Sequence, residues 1–352
     1  MQHVRKLLGA CLAAALLAAC DAGTNGPSAS TPTSIAPPTG AQRFASLGSL
    51  LPRGSGHLYV ADFLGNASVG SVTVYAPSSA SLLRTITQGV SNPEGLAFDA
   101  SRNLYVANSH ANTVTVYSPG SASVLRTISQ GVNRPGPLAF DKSGNLYVAN
   151  LSGNTVTVYA PGGTSVLRTI LQGVSEPSAL AFGGSGNLYV ANFHNNTVTV
   201  YPPGIRKLKR TISLGVNGPA ALAFDPSGNL YVANHGNSTV TVYGPGHTSV
   251  QRTISHGVTS PLTLAFDRAG NLYVGNYGGN TVTVYAPGKT SVLRTISHGI
   301  TSPFALAFSR LGYLFVANIS ANTVTVYAPG STNVHLTIAQ AINDPTALAF
   351  GP

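Results

Sequence analysis

From about residue 55 onward the chain runs in short segments in which apolar and small polar side chains alternate, bounded by Gly, Asn, Ser and Pro. One copy shows the pattern: Pro177 to Phe182, Asn187 to Ala191, Thr197 to Tyr201, and Arg210 to Ile212. In the third run Val198 and Val200 point one way and Thr197, Thr199 and Tyr201 the other. In the second run Leu188 and Val190 oppose Tyr189 and Ala191. A period of two, carried by β-branched and aromatic residues, predicts strands and not helices. We term the four strands a, b, c and d. Neither face of such a sheet carries charge, so both must be covered.

The four-strand unit recurs without slippage. The tyrosine closing strand c falls at Tyr75, Tyr117, Tyr159, Tyr201, Tyr243, Tyr285 and Tyr327, each step being 42 residues. The phenylalanine closing strand a keeps the same step from Phe98 to Phe350. Such a period points to propellers or solenoids, and four-stranded blades stacked around an axis cover both faces of every sheet. The predicted fold is all-β: a seven-bladed β-propeller of four-stranded antiparallel blades. The repeat is cut inside the a-to-b turn, because Phe350-Gly-Pro352 joined to Ser55-Gly-His-Leu58 reads like Phe182 to Leu188. The C-terminal strand is therefore expected to pair with the N-terminal blade and close the ring, leaving no open edge at the seam.

The turns follow the same logic. Asp141 to Asn145, Asp225 to Asn229 and Asp267 to Asn271 place Asp at a turn start and Gly where positive φ is needed. A proline opens every strand a, where a missing N–H is tolerated. An arginine in strand d of six copies, such as Arg126 and Arg168, is expected to guard the outer edge against pairing with another chain.

The first 54 residues differ in kind. Arg5-Lys6, an apolar run from Leu7 to Ala19 and small residues after it form the layout of a secretory signal. Leu17-Ala18-Ala19-Cys20 resembles the lipobox of bacterial lipoproteins, which implies cleavage before Cys20 and acylation of its thiol. The expected organisation is a signal peptide over 1–19, a lipidated cysteine and flexible Ser/Thr/Pro/Gly linker over 20–54, and the propeller over 55–352. Membrane attachment would then run through the lipid, on the periplasmic or extracellular side. Removing Arg5 and Lys6 leaves 17 basic side chains against 9 acidic ones, a mild preference for anionic neighbours. Cys11 leaves with the signal, so the mature chain would hold one cysteine and no disulfide.

The order Pro-x-x-Leu-Ala-Phe-Asp, Gly-Asn-Leu-Tyr-Val-Ala-Asn, Asn-Thr-Val-Thr-Val-Tyr resembles NHL-type β-propeller repeats and their bacterial relatives over about residues 55 to 352. It departs from them after strand b. NHL repeats carry Asp there, whereas this chain has Asn at 108, 150, 192, 234, 276 and 318, and Asp only at Asp62. The resemblance implies the fold and transfers no activity, because such propellers serve as protein-binding, RNA-binding and enzymatic scaffolds alike.

Function is sought where copies differ, on the face formed by the d-to-a and b-to-c loops, here called the top. The Asn after strand b is read as a stabiliser of its own hairpin. The first b-to-c loop is longer, since Tyr59 to Tyr75 spans 16 positions against 12 for Tyr105 to Tyr117, and it holds Asp62, Phe63 and Leu64. Phe63 and Leu64 are expected to be exposed anchors for a partner. His110, His194 and His235 occupy other b-to-c loops, while Glu94, Arg134, Glu176 and Asp344 stand at the channel mouth. No nucleophile elbow, phosphate loop or paired-cysteine metal motif appears. These observations favour a lipid-anchored, non-catalytic binding or scaffold protein of the cell envelope. It would be monomeric, with a protein or glycan partner and with no cofactor, metal or nucleic acid. The alternative is a propeller hydrolase or lyase, resembling lactonases or streptogramin lyases, with a metal-assisted or His-Glu site at the mouth.

Overall fold

The computed structural model describes residues 56–63, 70–76 and 80–352. Among the described residues twenty-eight strands form seven four-stranded antiparallel sheets. Blade 4 shows the strand order, with strands a to d at Pro177–Phe182, Leu188–Asn192, Thr197–Tyr201 and Arg210–Ile212, its strand d being shorter than the others. Blades 2, 3, 5, 6 and 7 repeat that order. Blade 1 is composite: Pro345–Gly351 supplies strand a, and His57–Asp62, Ser71–Tyr75 and Leu82–Ile86 supply b, c and d. Leu58 pairs with Phe350 and Val60 with Leu348, as the cut repeat predicts. Each strand a contacts that of the next blade, and the strand a of blade 1 touches both blade 7 and blade 2, so the ring is closed.

The alternation read from the sequence becomes inter-blade packing. Tyr147, Val156, Val158 and Ile170 on one face of blade 3 bury against Leu188, Val190, Tyr201, Leu180 and Phe182 of blade 4. The same kinds of residue fill the other six seams. Each strand b aromatic stands edge-on to the strand a phenylalanine of the following blade, as Tyr147 does to Phe182 at 5.0 Å and 78°. Such pairs contribute roughly 0.5–1.5 kcal/mol beyond area burial.

A further sevenfold contact holds the blades in order. The strand c tyrosine hydroxyl donates to a carbonyl in the linker arriving from the previous blade: Tyr159 to Gln130 O at 2.6 Å and Tyr285 to His256 O at 2.6 Å. Only a carbonyl is needed there, which explains how Gln, Leu and His alternate at that position.

The strand d arginines do more than cover an edge. Arg126 Nη2 reaches across strand c to the Tyr105 hydroxyl at 2.8 Å, with the guanidinium 5.8 Å from the ring centroid. The Tyr105 hydroxyl in turn donates to Asp99 Oδ2 at 3.3 Å. Blade 7 has lost both ends of this link together, with Phe315 for the tyrosine and Leu336 for the arginine.

Candidate functional site

The Asn or Asp expected just after strand b is the strand's last residue, and it is wholly buried in all seven blades. In blade 3, Asn150 Nδ2 donates to Thr155 Oγ1 at 2.9 Å and to Thr157 Oγ1 at 3.1 Å. Its Oδ1 accepts the backbone N–H of Asn133, in the incoming linker, at 3.0 Å. This ring of side chains is structural, joining hairpin to linker. Asp62 occupies the same position in blade 1, accepting from Thr73 Oγ1 at 2.6 Å and from Asn343 N at 3.3 Å. Burial pushes its carboxyl up to about 7. It is 0% exposed and presents nothing to a partner.

Phe63 also departs from expectation. It is 7% exposed, its N–H donates to Asp344 O at 3.1 Å, and its carbonyl accepts from Asn92 Nδ2 at 3.2 Å. Phe63 is therefore buried and does not stand as the exposed anchor expected of it. Leu64 lies outside the described residues.

Around the top mouth, the residue before each strand a proline adopts positive φ: Asn92, Arg134, Glu176, Gly218, Ser260, Ser302 and Asp344, between 44° and 53°. Left-handed backbone at six non-glycine positions costs energy. The rim supplies compensation. Asn112 Oδ1 accepts the Arg134 N–H at 2.6 Å, Asn154 Oδ1 that of Glu176 at 2.7 Å, and Asn322 Oδ1 that of Asp344 at 2.9 Å. The six rim positions from Arg134 to Asp344 are held in this way by a b-to-c loop of the preceding blade. The charged members lie on blades 1, 3 and 4, while blades 5 to 7 present Gly and Ser.

Directly after the proline, strand a carries a β-bulge. In blade 2, Pro93 pairs with Asn108 but Gly95 with Ala107, so Glu94 falls outside the ladder. Bulges recur beside active sites because they re-aim a side chain. Here the bulge turns Glu94 toward blade 3. Its Oε2 lies 3.6 Å from the point where a Cβ on Gly136 would stand. Leu151 fills the other side of that glycine, its Cδ1 2.7 Å from the same point, so a side chain at 136 would require Leu151 to shift. Glu94 is partly buried, with the Arg134 guanidinium and the Ser109 hydroxyl as its polar surroundings. Burial raises its carboxyl to about 7, and Arg134 and Ser109 oppose that rise without cancelling it.

The remaining candidates are placed separately. His110 and His194 are exposed on the loops of blades 2 and 4. His194 adjoins Phe193, whose N–H donates to Glu176 O at 3.2 Å, so His194 and Glu176 share the head of blade 4. His235 opens a short 3-10 turn of blade 5 and is half-buried, 6.4 Å from the Phe193 ring. Burial lowers its pKa, and its Nδ1 has no hydrogen-bond partner among the described residues. The three histidines come from three blades and do not converge. Among the described residues no three His, Cys, Asp or Glu side chains gather as metal ligands would. The donor set at the mouth therefore does not fit a resident divalent ion, and the metal-assisted form of the alternative is not supported.

Ser109 was not singled out from the sequence. Its signal is positional: it follows the buried Asn108, in the slot where other copies carry Leu151, Phe193, His235, Tyr277 and Ile319.

Residues 54–194 match the family model described as the SMP-30/Gluconolactonase/LRE-like region, and residues 216–243 match the NHL repeat. None of the curated proteins compared with the chain matches it. A streptogramin B lyase structure is 11% identical with a TM-score of 0.66, covering 74% of this chain and 87% of its own. Virginiamycin B lyase from Staphylococcus aureus is 12% identical with a TM-score of 0.65, covering 73% and 88%. A candidate 6-phosphogluconolactonase from Bacteroides fragilis is 17% identical with a TM-score of 0.68, covering 84% and 97%. The chain is an NHL-repeat-like propeller. At these identities the structures share its fold. The expectation of a non-catalytic binding scaffold is corrected at this point, because the matched region and these neighbours carry the names of lactonases and lyases. They side with the hydrolase-or-lyase alternative, and a lean away from enzyme activity has no support among them.

Proposed function

We propose that this chain is a propeller hydrolase or lyase that opens an ester-type bond at the top mouth, with Glu94 as the acid–base group. One observation carries the reading. A glutamate displaced from its ladder by a bulge is held partly out of water, so that its carboxyl titrates near 7, beside a guanidinium. A group that is half ionised at neutral pH both takes and returns a proton readily, which general acid–base catalysis requires. In a hydrolysis, Glu94 takes a proton from water as its oxygen attacks the carbonyl carbon. Arg134 faces the negative charge that develops on the carbonyl oxygen. The carboxylic acid then gives the proton to the departing alkoxide. In an elimination, the same carboxylate removes a carbon-bound proton as the carboxylate leaving group departs.

Charge narrows the substrate. Glu94, Glu176 and Asp344 stand on the top side against Arg134 alone. A phosphorylated lactone would meet net repulsion there, so a neutral or cationic substrate suits the mouth better. Phe193 and Tyr277, half-buried, follow strand b in blades 4 and 6 and add apolar surface at that end. The lipobox ending at Cys20 supports an exported, membrane-tethered enzyme, and detergent partitioning of a Cys20→Ala chain tests the tether.

The test is a panel of unphosphorylated sugar lactones, aryl esters and cyclic depsipeptides offered to the full chain, with product identified by mass. An added 18 mass units marks hydrolysis, and an isomeric ring-opened product marks elimination. Turnover of at least one class is expected, at least a hundredfold faster than with Glu94→Gln. Silence across the panel, or turnover indifferent to Glu94→Gln, overturns the proposal.

A further inference from the structure

Charge is segregated between the two faces of the ring. Of the fifteen Lys and Arg residues from Gly56 onward, Arg134 alone stands at the top mouth. In the a-to-b turns at the opposite, bottom face, Arg102, Lys142, Arg268 and Arg310 are exposed. The c-to-d loops on that face add exposed Arg206, Lys207, Lys209 and Lys289. The bottom carboxylates are committed to their turns. Asp141 Oδ1 accepts the N–H groups of Ser143 and Asn145 at 2.9 Å, and its Oδ2 accepts Asn145 Nδ2 at 2.8 Å. Large apolar side chains stand among the cations: Ile205, 50% exposed, precedes Arg206, and Leu311, 39% exposed, follows Arg310.

We infer that the bottom face is an interfacial surface that lies on an anionic phospholipid bilayer. Three features single out a bilayer. The cations are spread over blades 2, 3, 4, 6 and 7, which suits a plane of diffuse negative charge rather than one compact acidic group. Ile205 and Leu311 lie on separate blades within that spread, and exposed apolar groups ringed by Lys and Arg are the composition of interfacial membrane binders. The acidic mouth is on the other side, so electrostatics orient the ring with its bottom down and its top open to solution. This inference is independent of the catalytic proposal, since it uses none of the same residues.

The test is co-sedimentation of the full chain with vesicles of phosphatidylcholine containing a quarter phosphatidylglycerol, and with pure phosphatidylcholine. Uptake common to both vesicle types is assigned to residues 1–54 and subtracted. The wild type is expected to show an additional, salt-sensitive partition that requires phosphatidylglycerol. Arg206→Glu/Lys207→Glu/Lys209→Glu should weaken that component at least tenfold, and Arg268→Glu/Lys289→Glu on blade 6 should weaken it severalfold, both with unchanged melting temperature. Ile205→Ser should reduce it further at high salt. No phosphatidylglycerol-dependent component, or one untouched by both charge variants, overturns the inference. So does displacement of the protein from vesicles by duplex DNA at equal phosphate, which would make the face a nucleic-acid surface.

Discussion

The ring of Phe350, two residues from the chain end, stands edge-on to Phe315 of blade 7, with centroids 5.0 Å apart and planes at 78°. Tyr189 and Phe224, in the middle of the chain, meet in the same way at 5.0 Å and 74°. The strand that closes blade 1 is therefore packed against blade 7 as the strand a of any other blade is packed against its neighbour. Phe350→Ala should destabilise the domain by about 2–4 kcal/mol, close to the loss from Phe224→Ala. Chemical denaturation of both variants checks this. A negligible effect at 350 beside a full effect at 224 would mean that the ring opens in solution.

Asp62 should make stability depend on pH. Its carboxyl is raised to about 7 in the folded chain by burial. The folded state then binds a proton more tightly than the unfolded state, so stability falls as pH rises from the ordinary carboxylate range to about 7 and levels off above it. Glu94 contributes in the same direction. Asp62→Asn restores the side chain that the other six blades use. It should stabilise the chain by roughly 1–3 kcal/mol at pH 8 and change little at pH 4. Melting curves across that range read the difference, and equal shifts at both ends would contradict a carboxyl titrating there.

Arg168 and Tyr147 should be coupled. Tyr147→Phe alone strips the hydroxyl from a half-buried guanidinium and should cost about 1–2 kcal/mol. Tyr147→Phe/Arg168→Leu reproduces the pair present in blade 7 and should recover much of that loss. A double-mutant cycle with a coupling of at least about 0.5 kcal/mol is expected. Strict additivity would return these arginines to the role of edge guards.

These contacts show where the sequence was readable. The step of 42 from Tyr75 to Tyr327 carried the fold, and the cut repeat at Phe350 carried the closure, because both are properties of spacing. The buried Asn150 was legible as a brace for its hairpin. Its grip on the Asn133 N–H was not, because that contact depends on how the linker returns. Arg126 read as an edge charge, since sequence does not reveal that its length matches the reach over strand c to Tyr105. Phe63 read as exposed because it lies beyond a repeating strand, yet the chain folds it inward. Glu94 was visible as a mouth residue, but the bulge that frees it and the burial that raises its pKa belong to the three-dimensional arrangement of blades 2 and 3.

The rim should depend on its left-handed backbone. Glu176 holds φ 45° and its N–H is taken by Asn154 Oδ1. Asn154→Ala should cost roughly 1–2 kcal/mol, since it removes this acceptor and a side chain suited to positive φ. Glu176→Gly at the same rim position should lose less, or gain, because glycine adopts that backbone freely. Melting temperatures of the two variants decide, and a larger loss from Glu176→Gly would show that its side chain, not its backbone, supports the rim.

The measurement that bears most directly on the catalytic reading is the pH dependence of kcat/KM for whichever substrate class the full chain turns over, in the wild type and in Glu94→Gln. With Glu94 as the base, the wild-type rate should rise through about pH 7 to a plateau, following ionisation of a carboxyl held there by burial. Glu94→Gln should lower the plateau at least a hundredfold and abolish the rise, with no loss of melting temperature. A variant that keeps both the rate and the inflection would place the chemistry elsewhere and contradict the site described at the junction of blades 2 and 3.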